Sequence, residues 1–169
     1  MYVTISHRNI IVIGTVIWLI LLIVQFTTFY QEAWARLILA LAALVWLPLA
    51  LPLVSTRNVL LEQLLYHLLL PAAALLAFAL FLPAGSIAAL FTLPWFLFTL
   101  LISLRGIIYF SQNAQSPPAV LAIAAAHVFL SIGGAWTLAD RLGWQPLGFD
   151  PAIVLLTGVH FHYAGFIFP

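Results

Sequence analysis

The sequence contains no cysteine and no lysine, and only 5% of its residues are charged. Without cysteine there is no disulfide, no thiolate nucleophile and no cysteine-ligated zinc or iron–sulfur centre. Five arginines against four acids leave a net charge of +1, which provides no basic surface for nucleic acid. Nucleic-acid binding and thiol chemistry are therefore excluded, and any metal would need histidine, carboxylate or carbonyl ligands.

Apolar residues dominate what is present, at 66% of 169 residues with a mean hydropathy of +1.21. A bilayer core of about 30 Å needs about 20 apolar residues per helix. Backbone groups in lipid must bond internally, so the sequence predicts an all-α fold, a polytopic transmembrane helical bundle of about six spans. The predicted spans are Asn9–Phe26, Ala35–Val54, Leu60–Leu82, Gly85–Leu104, Pro118–Ala139 and Pro151–Phe168.

We expect a single transmembrane domain over residues 1–169. The first span is too long for the apolar region of a signal peptide and no small-residue cleavage pattern follows it, so we expect it to be retained. The chain ends at Pro169 without a polar tail, and both a complete protein and a fragment of a longer one stay open.

Four histidines lie well inside predicted spans: His67, His127, His160 and His162. Measured from the span ends on one common side of the membrane, all four lie about 10–13 Å deep. Ionisable side chains in a bilayer are costly and usually face the bundle interior or a pathway. The sequence therefore predicts one histidine layer within the bundle.

Helical spacing assigns these histidines to faces. At about 100° per residue, His162 shares a stripe with Gly158 and Gly165, whereas His160 points nearly the opposite way. The fifth span carries a matching stripe of His127, Ser131 and Gly134. Small and polar residues let helices approach closely in lipid, so we expect spans five and six to pack together there.

The third span presents a polar face made of Gln63, His67, Pro71 and Ala74. Pro71 has no amide hydrogen and leaves the carbonyl of His67 without its usual donor. Glu62 begins the same span, and we interpret it as an acid paired with an arginine, with a proton-relay carboxylate as the alternative. Asp140 and Arg141 are predicted to lie in a solvated loop.

Several functions are compatible with the histidines. Imidazole titrates near neutrality and could relay protons or couple them to transport. Histidines on facing helices could ligate haem, zinc, copper or iron, so His160, His162, His127 and His67 are also the metal candidates. A polar substrate could be hydrogen-bonded by His160, His162 and Tyr163, or the imidazoles could simply fix helix packing.

The closing run "TGVHFHYAGF", Thr157 to Phe166, resembles the signature of the YndJ-like family of bacterial polytopic membrane proteins, with the core of the match from His160 to Phe166. The resemblance implies an integral membrane protein, sometimes labelled a transporter, without an established activity. Members of that family usually continue beyond this motif, so the ending at Pro169 departs from the pattern.

We therefore expect a multi-pass protein of the bacterial inner membrane that moves or senses a small solute or proton along His160, His162, His127, His67 and Tyr163. Arg8, Arg57 and Arg105 on one side, against Arg36 and Arg141 on the other, favour a cytoplasmic N-terminus. The alternatives are a membrane-embedded metal or haem enzyme and a structural or assembly subunit. No catalytic nucleophile is identifiable, while cofactor and oligomeric state stay open.

Overall fold

The protein is a bundle of helices, as predicted. A computed structural model describes residues 7–26, 33–113 and 118–168, and all regular structure in these ranges is helical. The helices are α1 (His7–Phe26), α2 (Ala33–Leu53), α3 (Val59–Ala79), α4 (Ser86–Gln112), α5 (Pro118–Leu142) and α6 (Pro151–Ile167). Helices α1 to α5 are long and apolar enough to cross a membrane, and α6 is apolar but shorter.

Two helices continue past the ends that the sequence predicts. Helix α4 runs to Gln112 instead of Leu104, and α5 runs to Leu142 instead of Ala139. In each case an arginine follows the apolar run, and that arginine is held by an acid and by backbone carbonyls within the protein. A charge that is satisfied internally does not oblige the helix to end at the interface.

Local side-chain chemistry fixes where helices begin and end. The Asn58 side chain accepts a hydrogen bond from the Leu61 amide at 3.1 Å and caps α3. Asp150 caps α6 in the same way, accepting from the Ala152 amide at 2.8 Å. Gly143 follows α5 with φ +76°, a left-handed conformation that favours glycine, and so ends that helix.

Prolines distort α2 but do not interrupt the helices that follow it. The segment Ala42–Trp46 of α2 is a π-helical turn just before Pro48, and Leu51–Leu53 is a 3₁₀ turn that contains Pro52. A proline lacks the amide that an α-helix needs, and wider or tighter turns absorb the missing bond. Because α2 ends in a 3₁₀ turn, carbonyl groups at this end remain available to side chains of other helices.

Helices α4, α5 and α6 pack closely through glycines. A Cβ atom at Gly158 of α6 would lie 2.9 Å from Oγ1 of Thr137 on α5. A Cβ at Gly134 of α5 would overlap Oγ1 of Thr99 on α4. Small residues allow such approach in lipid. The predicted packing of spans five and six is confirmed, but Gly133 contacts α6 at His162, whereas Gly134 of the predicted stripe contacts α4.

Helix α1 is the most loosely attached of the five long helices. Only 11% of its apolar window is buried, compared with 33–44% in α2 to α5. It approaches α2 closely at Gly14, where a Cβ would overlap the carbonyl oxygen of Leu44. Because α1 packs mainly against α2, a groove remains between α1 and α3.

Candidate functional site

The groove between α1 and α3 is a cavity of about 790 Å³. Its apolar wall comes from both helices and consists of Ile10, Ile17, Val59, Leu70, Pro71 and Ala74. Its polar lining comes from α3 and the loop before it, and consists of Thr56, Glu62, Gln63, Tyr66 and His67. All four residues of the predicted polar face of the third span line this groove, which confirms that they share one face.

His67 lines the groove, and among the described residues only one of its two ring nitrogens has a hydrogen-bond partner. Its Nδ1 lies 2.6 Å from the carbonyl oxygen of Gln63. A carbonyl only accepts, so Nδ1 must carry the hydrogen and Nε2 of the neutral ring is left as an acceptor. Pro71 also leaves the His67 carbonyl without its intrahelical donor. The groove therefore gains two hydrogen-bond acceptors from a single residue.

Glu62 at the end of the groove is paired with Arg105 of α4. The guanidinium contacts both carboxylate oxygens, with Nε 3.0 Å from Oε1 and Nη2 2.8 Å from Oε2. The Thr56 amide and hydroxyl each donate to Oε1 at 2.9 Å. The interpretation of Glu62 as an acid paired with an arginine is thus confirmed, and its carboxylate accepts four hydrogen bonds, three at Oε1 and one at Oε2.

Arg105 also ties α4 to the end of α2. It is 1% exposed, and its Nη2 donates to the carbonyl of Leu51 at 2.9 Å and to the carbonyl of Val54. These carbonyls lie where α2 ends and have no following helical amides to bind. One buried guanidinium therefore joins α2, α3 and α4 beside the groove.

His162 is held inside the bundle by Trp95 of α4. The indole Nε1 donates to His162 Nε2 at 3.1 Å, and His162 Nδ1 donates to the Gly158 carbonyl at 2.7 Å. The two rings are stacked, with centroids 5.9 Å apart and planes inclined by 15°. Because both ring nitrogens have partners, His162 is a neutral, satisfied imidazole in this arrangement.

His127 is buried at a different level. Its Nδ1 donates to the Ile123 carbonyl at 2.7 Å, and its ring meets Phe166 edge-on at 5.5 Å. His162 contacts Gly133, which follows His127 by six residues on α5. At 1.5 Å per residue, the two histidines are about 9 Å apart along that helix. The structure thus differs from the single layer that the sequence predicts, because helix register places His127 nearer the Glu62 end.

The remaining predicted residues point elsewhere. His160 is exposed and packs against the Phe161 ring at 5.4 Å, whereas His162 is buried, so their opposite orientation is confirmed. The Tyr163 hydroxyl donates to the Ile38 carbonyl of α2 at 2.9 Å. His160, His162 and Tyr163 therefore do not face one common ligand position.

No metal-binding group is formed by the part of the chain that the structure describes. Within residues 7–26, 33–113 and 118–168, no three histidine, aspartate or glutamate side chains come together in a way that could hold an ion. His67 faces the groove, His127 and His162 lie inside the bundle, and His160 faces outward. The four candidate ligands are dispersed by the packing.

A second buried ion pair lies at the opposite end of the bundle. Arg141 Nε donates to Asp140 Oδ2 at 2.7 Å, and Arg141 Nη1 donates to the Leu82 carbonyl at 3.1 Å. The two charged residues are 1% and 7% exposed. The prediction of a solvated loop is wrong here, because Asp140 and the Leu82 carbonyl, which lies after the end of α3, hold the guanidinium inside the bundle.

Trp95 is a site residue that the sequence did not predict. It lies in the middle of α4, far from the interfaces where tryptophan usually anchors a span. An indole N–H buried in hydrocarbon needs an acceptor. A tryptophan in the middle of an apolar run therefore indicates that a hydrogen-bond acceptor lies nearby in the bundle. The sequence could not show that the acceptor is a ring nitrogen 67 residues away.

Comparison with known proteins places the chain in a family. The model of the family described as YndJ-like protein matches residues 37–169. The uncharacterized membrane protein YndJ of Bacillus subtilis (strain 168) is 32% identical over 79 residues, which are 47% of this chain and 14% of that protein. The matched part is thus a small fraction of the relative, and no solved structure matches the chain. On the extent of the family match, the chain belongs to the YndJ-like family of membrane proteins.

Proposed function

We propose that the groove between α1 and α3 binds a small amphipathic solute, which the protein moves through or senses in the membrane. The observation that carries this proposal is the cavity of about 790 Å³ with an apolar wall and a polar end. Its size is that of sites for small molecules, which are mostly apolar with a few placed polar groups. His67 is the predicted pathway residue that this site retains.

The Glu62–Arg105 pair supports a response to the solute. Glu62 lines the groove, and Arg105 donates to carbonyls at the end of α2. A solute that displaces Glu62 would disturb bonds to α2 and α4 together. Discrete rearrangement of such a network is the physical basis of coupling between a site and distant elements.

We also propose a bacterial inner membrane and a cytoplasmic N-terminus. Arg8, Arg57 and Arg105 belong to the end of the bundle that carries the polar part of the groove. Arg36 and Arg141 belong to the other end, and the side richer in arginine tends to be cytoplasmic. The polar end of the groove then opens toward the cytoplasmic leaflet.

A structural or assembly role is the second candidate function. The observation that favours it is His162, whose two ring nitrogens are both bonded inside the bundle. On this alternative the histidines fix helix packing and the groove holds only bilayer lipid. The metal or haem alternative draws no comparable support from the described residues.

Binding in the groove is tested with a single cysteine in a chain that has none. Ala74→Cys, in the groove, is labelled with a small fluorophore, and Leu64→Cys on the exposed face of α3 is the matched control. The protein is placed in phosphatidylcholine nanodiscs and titrated with a ten-carbon alcohol that carries a nitroxide quencher. We expect saturable quenching at residue 74 and linear quenching at residue 64.

Linear quenching at both positions would overturn the proposal, because the probe would then reach the groove only as part of the bulk lipid. Once saturation is established, release of the same probe from preloaded proteoliposomes distinguishes transport from sensing. Release faster than from protein-free vesicles assigns movement, and release at the same rate assigns sensing.

A further inference from the structure

We infer that the solute carries a neutral hydrogen-bond donor, a hydroxyl group, which binds Nε2 of His67. The inference rests on the proposed function of the groove and specifies the chemical class of its ligand. It follows from which polar atoms of the groove are already bonded and which are left available.

The available atoms of His67 are acceptors, whereas the Gln63 amide and the Tyr66 hydroxyl, which also line the groove, can both donate and accept. The Nδ1 hydrogen of His67 is donated to Gln63, so Nε2 offers a lone pair. The His67 carbonyl lacks its intrahelical donor because Pro71 has no amide hydrogen. The Glu62 carboxylate is already bonded to Arg105 and Thr56. A ligand that bonds to His67 must therefore donate, and a group that also accepts can bond to Gln63 or Tyr66 as well.

Charge distinguishes between the possible donors. Among the described residues, Arg8, Arg57 and Arg105 belong to this end of the bundle, and Glu62 is the acid there. Three positive charges against one negative charge disfavour an ammonium group. A hydroxyl group donates without carrying charge and also accepts, so the side-chain amide of Gln63 can complete its bonding.

An anionic head group is less well matched. A carboxylate or phosphate only accepts, and it would place its lone pairs against the lone pair of His67 Nε2. Phosphatidylcholine has no donor in its head group, so the bilayer of the nanodiscs cannot satisfy these acceptors either. The apolar wall formed by Leu70, Pro71 and Ala74 then accommodates the alkyl chain of the alcohol.

The test compares two nitroxide probes of the same chain length, one ending in a hydroxyl group and the other in a methyl ether. Quenching of the fluorophore at residue 74 gives the affinity for each. In the otherwise unchanged protein we expect the alcohol to bind about three- to tenfold more tightly, the value of one net hydrogen bond. His67→Phe should abolish this preference, and His67→Gln, which keeps an acceptor, should retain part of it.

His160→Phe is the matched control, since it changes an exposed histidine on α6 and should leave the preference intact. His67 is also exposed, so its replacement should not disturb the core. Saturable binding of both probes with equal affinity would overturn this inference while leaving the groove as a site. Linear quenching by both probes would overturn the proposed function itself.

Discussion

Three histidines, His67, His127 and His162, donate from Nδ1 to the carbonyl four residues earlier on their own helices. This common bond fixes one tautomer in all three and makes Nε2 the atom that differs among them. In His162 that atom accepts from Trp95, whereas in His67, which lines the groove, it has no partner among the described residues. The role of each histidine thus depends on one nitrogen and its surroundings.

At this scale, we expect Trp95→Phe to lower stability. The variant removes the indole donor and leaves His162 Nε2 buried without its partner, at a cost of about 1–3 kcal/mol in the free energy of unfolding. Thermal unfolding of the purified protein in nanodiscs measures the change. Trp144→Phe, at a residue that is 61% exposed, is the control and should have little effect.

The double variant Trp95→Phe with His162→Phe tests whether the lost hydrogen bond is the reason for the lower stability of Trp95→Phe. Replacing both polar partners by apolar rings removes the unsatisfied atom, so stability should recover much of what the single variant loses. A double variant no more stable than Trp95→Phe would show that the hydrogen bond is not the reason for the loss.

The sequence predicted the correct helix faces for these residues but not their partners. Spacing of 100° per residue separated His160 from His162 and placed His67 beside Gln63, because a helix fixes those angles locally. Whether His162 meets Trp95 or His127 depends on the register of three helices. That register comes from non-local contacts, such as Gly133 against His162, which a single sequence does not reveal.

At the scale of helices, the Arg105 side chain links three helices to one another. It is buried in α4, pairs with Glu62 of α3 and donates to carbonyls at the end of α2. The pattern of six apolar helices was predictable because the length of an apolar run is local, although only five of them are long enough to cross a membrane. The extension of α4 past Arg105 was not predictable. Only the folded arrangement supplies the acid and the carbonyls that make a buried guanidinium acceptable.

We expect Arg105→Met to destabilise the protein strongly. The change leaves the Glu62 carboxylate and two carbonyls without their cationic donor, and removing one partner of a buried pair costs about 3–5 kcal/mol. Since Glu62 retains 17% exposure, the lower end of this range is expected. Unfolding in nanodiscs gives the measurement, with the exposed Arg57→Met as the control. Equal stability of the two variants would contradict a joining role for Arg105.

At the scale of the whole molecule, the helix order places the loop after α2 and the loop before α6 on opposite sides of the membrane. Ser55 is exposed in the first loop, and Leu147 is 86% exposed in the second. The absence of cysteine allows a single Ser55→Cys or Leu147→Cys to report on its own side.

We expect a membrane-impermeant maleimide to label Leu147→Cys on the outer face of spheroplasts and Ser55→Cys only after lysis. The reason is the arginine bias, which favours a cytoplasmic N-terminus. The extent of labelling before and after lysis is the measurement, and labelling of a denatured sample controls for reactivity. Labelling of Ser55→Cys in intact spheroplasts would reverse the orientation.

The bond between Trp95 and His162 also bears on how this sequence can change over time. Two positions 67 residues apart share a single donor and a single acceptor. Loss of either residue alone leaves the polar atom of the other buried without a partner and lowers stability. Loss of both together leaves no such atom. The two positions are therefore expected to change together, although they are distant along the chain.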